Sequence, residues 1–314
     1  MAGNMLPQLA GRLMATGGGF ETWLQYVDGF KLRHFCGFEL LDNARGRACL
    51  ERYQRRLVEA AVAQGFGVIN EGLHYRASRD WGNLIGYSPQ ALEEINIRGI
   101  EFYRGIARDY HSAETPMIVA GAIGPRGDAY QTGASIDAAS AEDYHGEQIG
   151  ILKKAGADMI TAMTFSSVEE AIGISRAAAS VDIPIVVSFF VTTGGRLSGG
   201  ETLQQAIEMV DAATDETPLY YMINCTHPTE FAPALTDGDW LTRLGGFMPN
   251  AVAMETLELC KLGHLEDGDP EELGGQMAKL AERFPHINVW GGCCGTDGRH
   301  IGKIAYEVGK IRCT

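Results

Sequence analysis

The chain is short of positive charge. Its 314 residues carry 26 Lys and Arg against 40 Asp and Glu, a formal net charge of -14. It has no basic face for a phosphate backbone, and nucleic acid is excluded as a partner. Long hydrophobic runs are missing as well. Nothing approaches the roughly 18 apolar residues of a membrane span, and no membrane partner is expected. The opening MAGNMLPQLAGRLMATGGG lacks a basic region followed by an apolar one, so no secretory signal is read there. The seven cysteines are odd in number and irregularly spaced, unlike a disulfide framework. Together these absences point to the reducing cytoplasm, where thiols stay available for metal or catalysis. No GxGxxG opens a helix after the first strand, which counts against a dinucleotide-binding fold. No Pro- or Ser-rich linker interrupts the sequence, so residues 1–314 read as one domain.

What the chain does have is a repeated alternation of short apolar runs and longer amphipathic segments. The runs are 13–18, 67–72, 117–124, 159–165, 183–190, 219–225, 251–256 and 287–291. Between them, helical periodicity covers 44–64, 89–111, 141–155, 168–179, 202–213, 270–284 and 298–311. The runs are continuously apolar rather than alternating, as parallel strands buried on both faces are. Eight such units predict a (β/α)8 TIM barrel, with a doubly wound open sheet as the alternative. Residues 25–42 lack a clear period and 257–269 are polar and glycine-bearing; both read as excursions at the rim.

A barrel places its chemistry at the carboxyl ends of its strands. The eighth run ends in WGGCCGTDGRH, with Cys293 and Cys294 set among glycines that can turn both sulfurs toward one point. The sixth ends in Asn224 and Cys225, followed by Thr226, His227 and Pro228. Strands six and eight are two apart in a closed ring and share one mouth. Three converging thiolates with one open position are the pattern of a catalytic zinc site. A small buried residue is the other reading of Cys225, and a vicinal disulfide or redox dithiol the other reading of Cys293 and Cys294. His227 is either a fourth ligand or a loop residue. Cys49 reads as helix packing, Cys36 and Cys260 as rim residues, and Cys313 as tail.

The motifs MINCTHP around Cys225 and GGCCGTDGRHI around Cys293 and Cys294 resemble those of the homocysteine S-methyltransferase family. AGAIGPRGD (120–128), YHGEQIGILKKAGADMI (144–160), GRLSGGETLQQAI (195–207) and DGDPEEL (267–273) add weaker matches in the same order. The resemblance implies a zinc-containing barrel in which Cys225, Cys293 and Cys294 are the metal ligands. It implies methyl transfer to a thiol, homocysteine by default, giving methionine. The donor would be of the S-methylmethionine, S-adenosylmethionine or betaine type. The partners expected are thus a small thiol and a small methyl donor; the sequence does not fix an oligomeric state.

The sequence departs from the family at two positions. Thr16, before Gly17 and Gly18, stands where the family has an Asp. Met163, before Thr164, stands where it has a Glu. In the family those acids hold the ammonium group of homocysteine, through charge-assisted hydrogen bonds. Acids at other strand ends are Glu21, Glu71 and Glu255. Either Glu71 or Glu255 replaces the lost pair, or the acceptor is a thiol without an ammonium group there; ion pairing at the rim is the plainer role for both. Thr16, Gly17, Gly18, Glu71, Tyr75, Met163, Asn224 and Glu255 are the expected substrate-binding residues. Tyr75 and Trp81 are candidates to cradle a donor cation, with packing as the alternative.

Overall fold

The structure, a computed structural model, describes residues 5–130, 136–192, 194–254 and 256–312, the side chains at 256, 257 and 260 excepted. Eight parallel strands close into a barrel in sequence order. They are β1 (Met14–Gly17), β2 (Gly67–Asn70), β3 (Met117–Ile123), β4 (Met159–Phe165), β5 (Ile185–Phe189), β6 (Tyr221–Asn224), β7 (Leu244–Met248) and β8 (Val289–Gly292). The ring shuts where β1 pairs with β8, Thr16 opposite Gly291. This is the expected (β/α)8 architecture.

The helices, in order, are α1 (Phe20–Tyr26), α2 (Ala44–Val62), α3 (Arg79–Leu84), α4 (Pro89–Tyr110), α5 (Ala138–Lys154), α6 (Val168–Ser180), α7 (Leu203–Thr214), α8 (Pro228–Phe231), α9 (Thr256–Lys261), α10 (Pro270–Arg283) and α11 (Gly298–Arg312). Their starts are written in the sequence. Ser88, Asp137, Ser167 and Thr202 each accept a hydrogen bond from a backbone N–H of the first turn, and Thr202 with Gln205 closes a capping box. Pro89 and Pro270 occupy first helical positions, where a missing N–H costs nothing. Among the described residues no helix is long and apolar enough to cross a membrane.

Alternation along each strand divides the core in two. Met14, Ile69, Ile118, Met159, Met163, Val186, Met222 and Val289 fill the barrel interior. Their neighbours Ile160, Ala162, Val187 and Trp290 face the helical shell. In β4 the period breaks at Thr164, whose φ of +65 accompanies a register shift against β5. The bulge turns Phe165 outward and leaves Thr164 at the mouth.

One strand lies elsewhere than expected. The seventh is Leu244–Met248, not 251–256. Gly245 and Gly246 dilute its apolar pattern, but both are forced. A side chain at Gly245 would meet the Tyr220 ring, and one at Gly246 would meet Val289 and Met222. Residues 251–254 are bends that cross to the eighth strand, Ala251 N–H donating to Cys294 O at 3.0 Å. The rim segments also hold more structure than expected: 3-10 turns at Arg33–Phe35 and Gly37–Asp42, and α9, which runs into 257–269 from Thr256.

Candidate thiol site at the barrel mouth

Cys225 follows β6 directly and Cys293 and Cys294 follow β8. Their three sulfurs lie within 4.8 Å of one another. Backbone contacts to the end of β7 hold both turns. Cys225 N–H donates to Met248 O at 3.1 Å, and Cys293 N–H donates to Pro249 O at 2.7 Å. Asn250, fully buried, donates from Nδ2 to Cys225 O at 2.9 Å. Cys225 has a φ of +58, a left-handed conformation uncommon for a residue with a Cβ. Hydrogen bonds on both sides hold it there, with its sulfur toward β8. The sulfurs of Cys225 and Cys293 are in bonding contact as a disulfide, with Cα atoms 5.4 Å apart. The close pair is therefore the inter-strand one, not the vicinal pair Cys293–Cys294.

The donor set fits a soft metal in its reduced form. Tetrahedral zinc–thiolate bonds of about 2.3 Å set sulfurs about 3.8 Å apart, so the joined Cys225 and Cys293 would have to part on reduction, with all three sulfurs still within reach of one ion. Among the described residues these cysteines form the group of His, Cys, Asp and Glu side chains able to hold an ion. His227 is not in it. Its Nδ1 caps α8 by accepting from the Thr229 backbone, and burial pushes its imidazole pKa down.

Asn224, the last residue of β6, organises the floor. Its Oδ1 accepts from Thr164 N–H at 2.9 Å and from Ser188 Oγ at 2.7 Å. Its Nδ2 donates to Thr164 Oγ1 at 2.8 Å and reaches Cys293 Sγ at 3.9 Å. Thr164, Ser188 and Asn250 were not singled out from sequence. Only Thr164, next to Met163 at a strand end, carried a signal.

On the other side of the mouth, Gly18 N–H donates to Gly292 O at 2.7 Å and Gly19 N–H to Thr296 O at 2.9 Å, fastening the early glycine run to the cysteine turn. Gly17 has a φ of +74, and a side chain there would strike Gly292 O and the Met248 methyl group. Thr16 is buried and donates from Oγ1 to Glu71 Oε1. Glu71 follows β2 rather than lying on it, and its burial pushes the carboxyl up to about 7. Met163 packs in the barrel interior, with Tyr75 against the same cluster. Burial raises the Tyr75 phenol. Glu21 sits in the first turn of α1, where burial pushes its carboxyl up to about 8.

Trp81 and Cys36 are held by neighbours of their own, and some expected residues lie outside the described ones. Trp81 has its ring covered by the Arg76 guanidinium, 4.1 Å from the centroid, so that face does not receive a donor. Cys36 sits in the rim segment between the two 3-10 turns but is fully buried there, and burial pushes its thiol up to about 12. Glu255 lies outside the described residues, as do Cys313 and the Cys260 side chain. Cys49 packs on α2 as expected.

A closed parallel barrel with three thiols gathered where β6 and β8 end defines a class, that of barrels built for sulfur chemistry at the mouth. The chain belongs to the homocysteine S-methyltransferase family, whose model matches residues 18–308. Among curated proteins it is similar to the methionine synthase of Mycobacterium tuberculosis, 26% identical over 331 residues. It is equally similar, at 26% over 324 residues, to the methionine synthase of Mycobacterium leprae. Those matches take in 98% of this chain but about a quarter of the relatives, 26% and 25% of their lengths. Among solved structures, the oxidized form of the Escherichia coli homocysteine methyltransferase MmuM superposes with a TM-score of 0.73. It is 18% identical and covers 93% of this chain and 94% of that one. The metallated form of the same protein gives 0.69 at 17% identity, covering 94% of this chain and 95% of that one. These two likenesses concern the fold.

Proposed function

We propose that the protein is a zinc-dependent thiol S-methyltransferase that acts as one unit over residues 1–314. Its default acceptor is homocysteine, giving methionine, and its donor carries the methyl group on a sulfonium or ammonium centre. The observation that carries this reading is the triangle of Cys225, Cys293 and Cys294 sulfurs at the barrel mouth. When bound by the three thiolates, zinc would offer an open fourth position and lower the pKa of a substrate thiol there. Everything else falls to the chain. Asn224 steadies the Cys293 sulfur from below. The buried walls exclude water, and the mouth aligns thiolate and methyl carbon for in-line displacement. The lone pair of the acceptor sulfur forms the new S–CH3 bond as the donor leaves neutral. A disulfide between Cys225 and Cys293 removes two of the thiolates, so the reduced form is the active one.

A second reading keeps the thiol site but changes the acceptor or donor. Thr16 and Met163, which are not acids, favour it. One experiment separates the two: metal content of the reduced wild type, Cys225→Ser and Cys293→Ser, run beside methyl transfer from S-methylmethionine to homocysteine. About one zinc per chain, lost in both variants, with methionine formed, supports the first reading. Zinc without methionine supports the second. No zinc removes both.

A further inference from the structure

The barrel interior contains one carboxyl group that the structure leaves half-partnered. Glu71 is 5% exposed. Its Oε1 accepts from Thr16 Oγ1 of β1. Tyr103 of α4 donates to the Glu71 backbone carbonyl at 2.6 Å and fixes the end of β2. Yet Oε2 has no partner among the described residues. No Lys, Arg or His among them forms an ion pair with it; the titratable groups near it are Tyr103 and Tyr220, both raised by burial and neutral. A buried acid without a cation is costly, and a fold retains one where a ligand supplies the missing charge.

The position says what ligand. Thr16 stands opposite Gly291, two residues before Cys293. The carboxyl is therefore about 7 Å of strand below the thiol triad, at roughly 3.3 Å per residue. A ligand with its sulfur at the triad and a positively charged N–H donor a few carbons away is the chemistry that would pair both groups.

We infer that Glu71, oriented by Thr16, receives the ammonium group of the amino-thiol acceptor and is this chain's specificity-determining acid. The inference rests on the thiol-methyltransferase reading. It moves the charge contact to β2, onto the side chain that the residue at position 16 holds in place. A hydroxyl at position 16 is then not a lost acid but the group that orients one.

The test compares homocysteine with 4-mercaptobutyrate, the same thiol without its amine, in the reduced, zinc-loaded protein. Binding is followed by calorimetry and turnover by KM and kcat. Glu71→Gln is expected to weaken homocysteine by about 10- to 100-fold, the range of one charged hydrogen bond. It should leave 4-mercaptobutyrate affinity and zinc content unchanged. The double variant Glu71→Gln, Thr16→Asp returns a carboxylate to the neighbouring strand and should recover much of the homocysteine affinity, which a merely structural role would not. Glu71→Gln that binds homocysteine as the wild type does overturns the inference and leaves the methyltransferase reading standing. So does a wild type that uses both thiols equally well. A protein that methylates neither thiol overturns both.

Discussion

Asn224 and Cys293 lie 69 residues apart in sequence, yet the Asn224 amide nitrogen reaches the Cys293 sulfur at 3.9 Å. The same amide holds the Thr164 bulge and Ser188, so one side chain links β4, β5, β6 and the cysteine turn. Asn224→Ala strands Thr164 N–H and Ser188 Oγ without acceptors in a buried place. The expected cost is about 3 kcal/mol of stability, read as a lowered urea midpoint at unchanged slope. A midpoint equal to the wild type's would mean that water replaces the amide.

Glu71 predicts a pH dependence of stability. Its carboxyl rises from 4.5 to about 7 on folding, chiefly through burial. The folded state therefore holds its proton more tightly than the unfolded one. Stability is full below about 4.5 and falls as pH rises toward 7, by at most roughly 3 kcal/mol. Glu71→Gln removes that contribution, while Glu21, pushed up to about 8, keeps its own in the same window. Thermal melts at pH 5 and pH 8, without substrate, should show the variant level with the wild type at the lower pH and ahead of it at the higher. A wild type flat across this window would place the carboxyl near its ordinary value.

Glycine substitutions separate backbone strain from collision. Gly17→Ala meets both: its φ is +74 and the new methyl would run into Gly292 O and Met248. The expected loss exceeds about 3 kcal/mol and opens the β1–β8 seam. Gly65→Ala shares the left-handed φ, at +76, but opens on empty space. It should cost only about 1 kcal/mol. Equal losses in chemical denaturation would remove the collision from the account.

Trp81 gives a prediction of no effect. Its ring is occupied by Arg76 at 4.1 Å. Trp81→Leu should lower stability modestly and leave KM for a cationic methyl donor unchanged. A rise in that KM with unchanged folding would return Trp81 to the mouth.

The sequence was most legible where apolar runs are unbroken. Met159–Phe165 is found as β4 without change of bounds, because all seven residues are apolar or β-branched and buried on both faces. The seventh strand was hidden by Gly245 and Gly246, whose reason lies in Tyr220, Val289 and Met222, none of them its neighbours in sequence. The three cysteines were legible because they stand at strand ends, Cys293 and Cys294 among glycines and Cys225 at the close of its apolar run. What positions them was not. The Asn250 contact depends on where β7 ends, and the pairing of Thr16 with Glu71 depends on the register of β1 on β2.

The sulfurs of Cys225 and Cys293 are separated by 68 residues of chain and by the whole of β7. They meet only once β6, β7 and β8 have settled side by side. During refolding, then, the moment at which an oxidant can join this pair times the assembly of the last three strands of the ring. A partly assembled barrel would keep the two thiols apart, each open to a labelling reagent, and the ratio of joined to labelled protein would serve as a clock for closure.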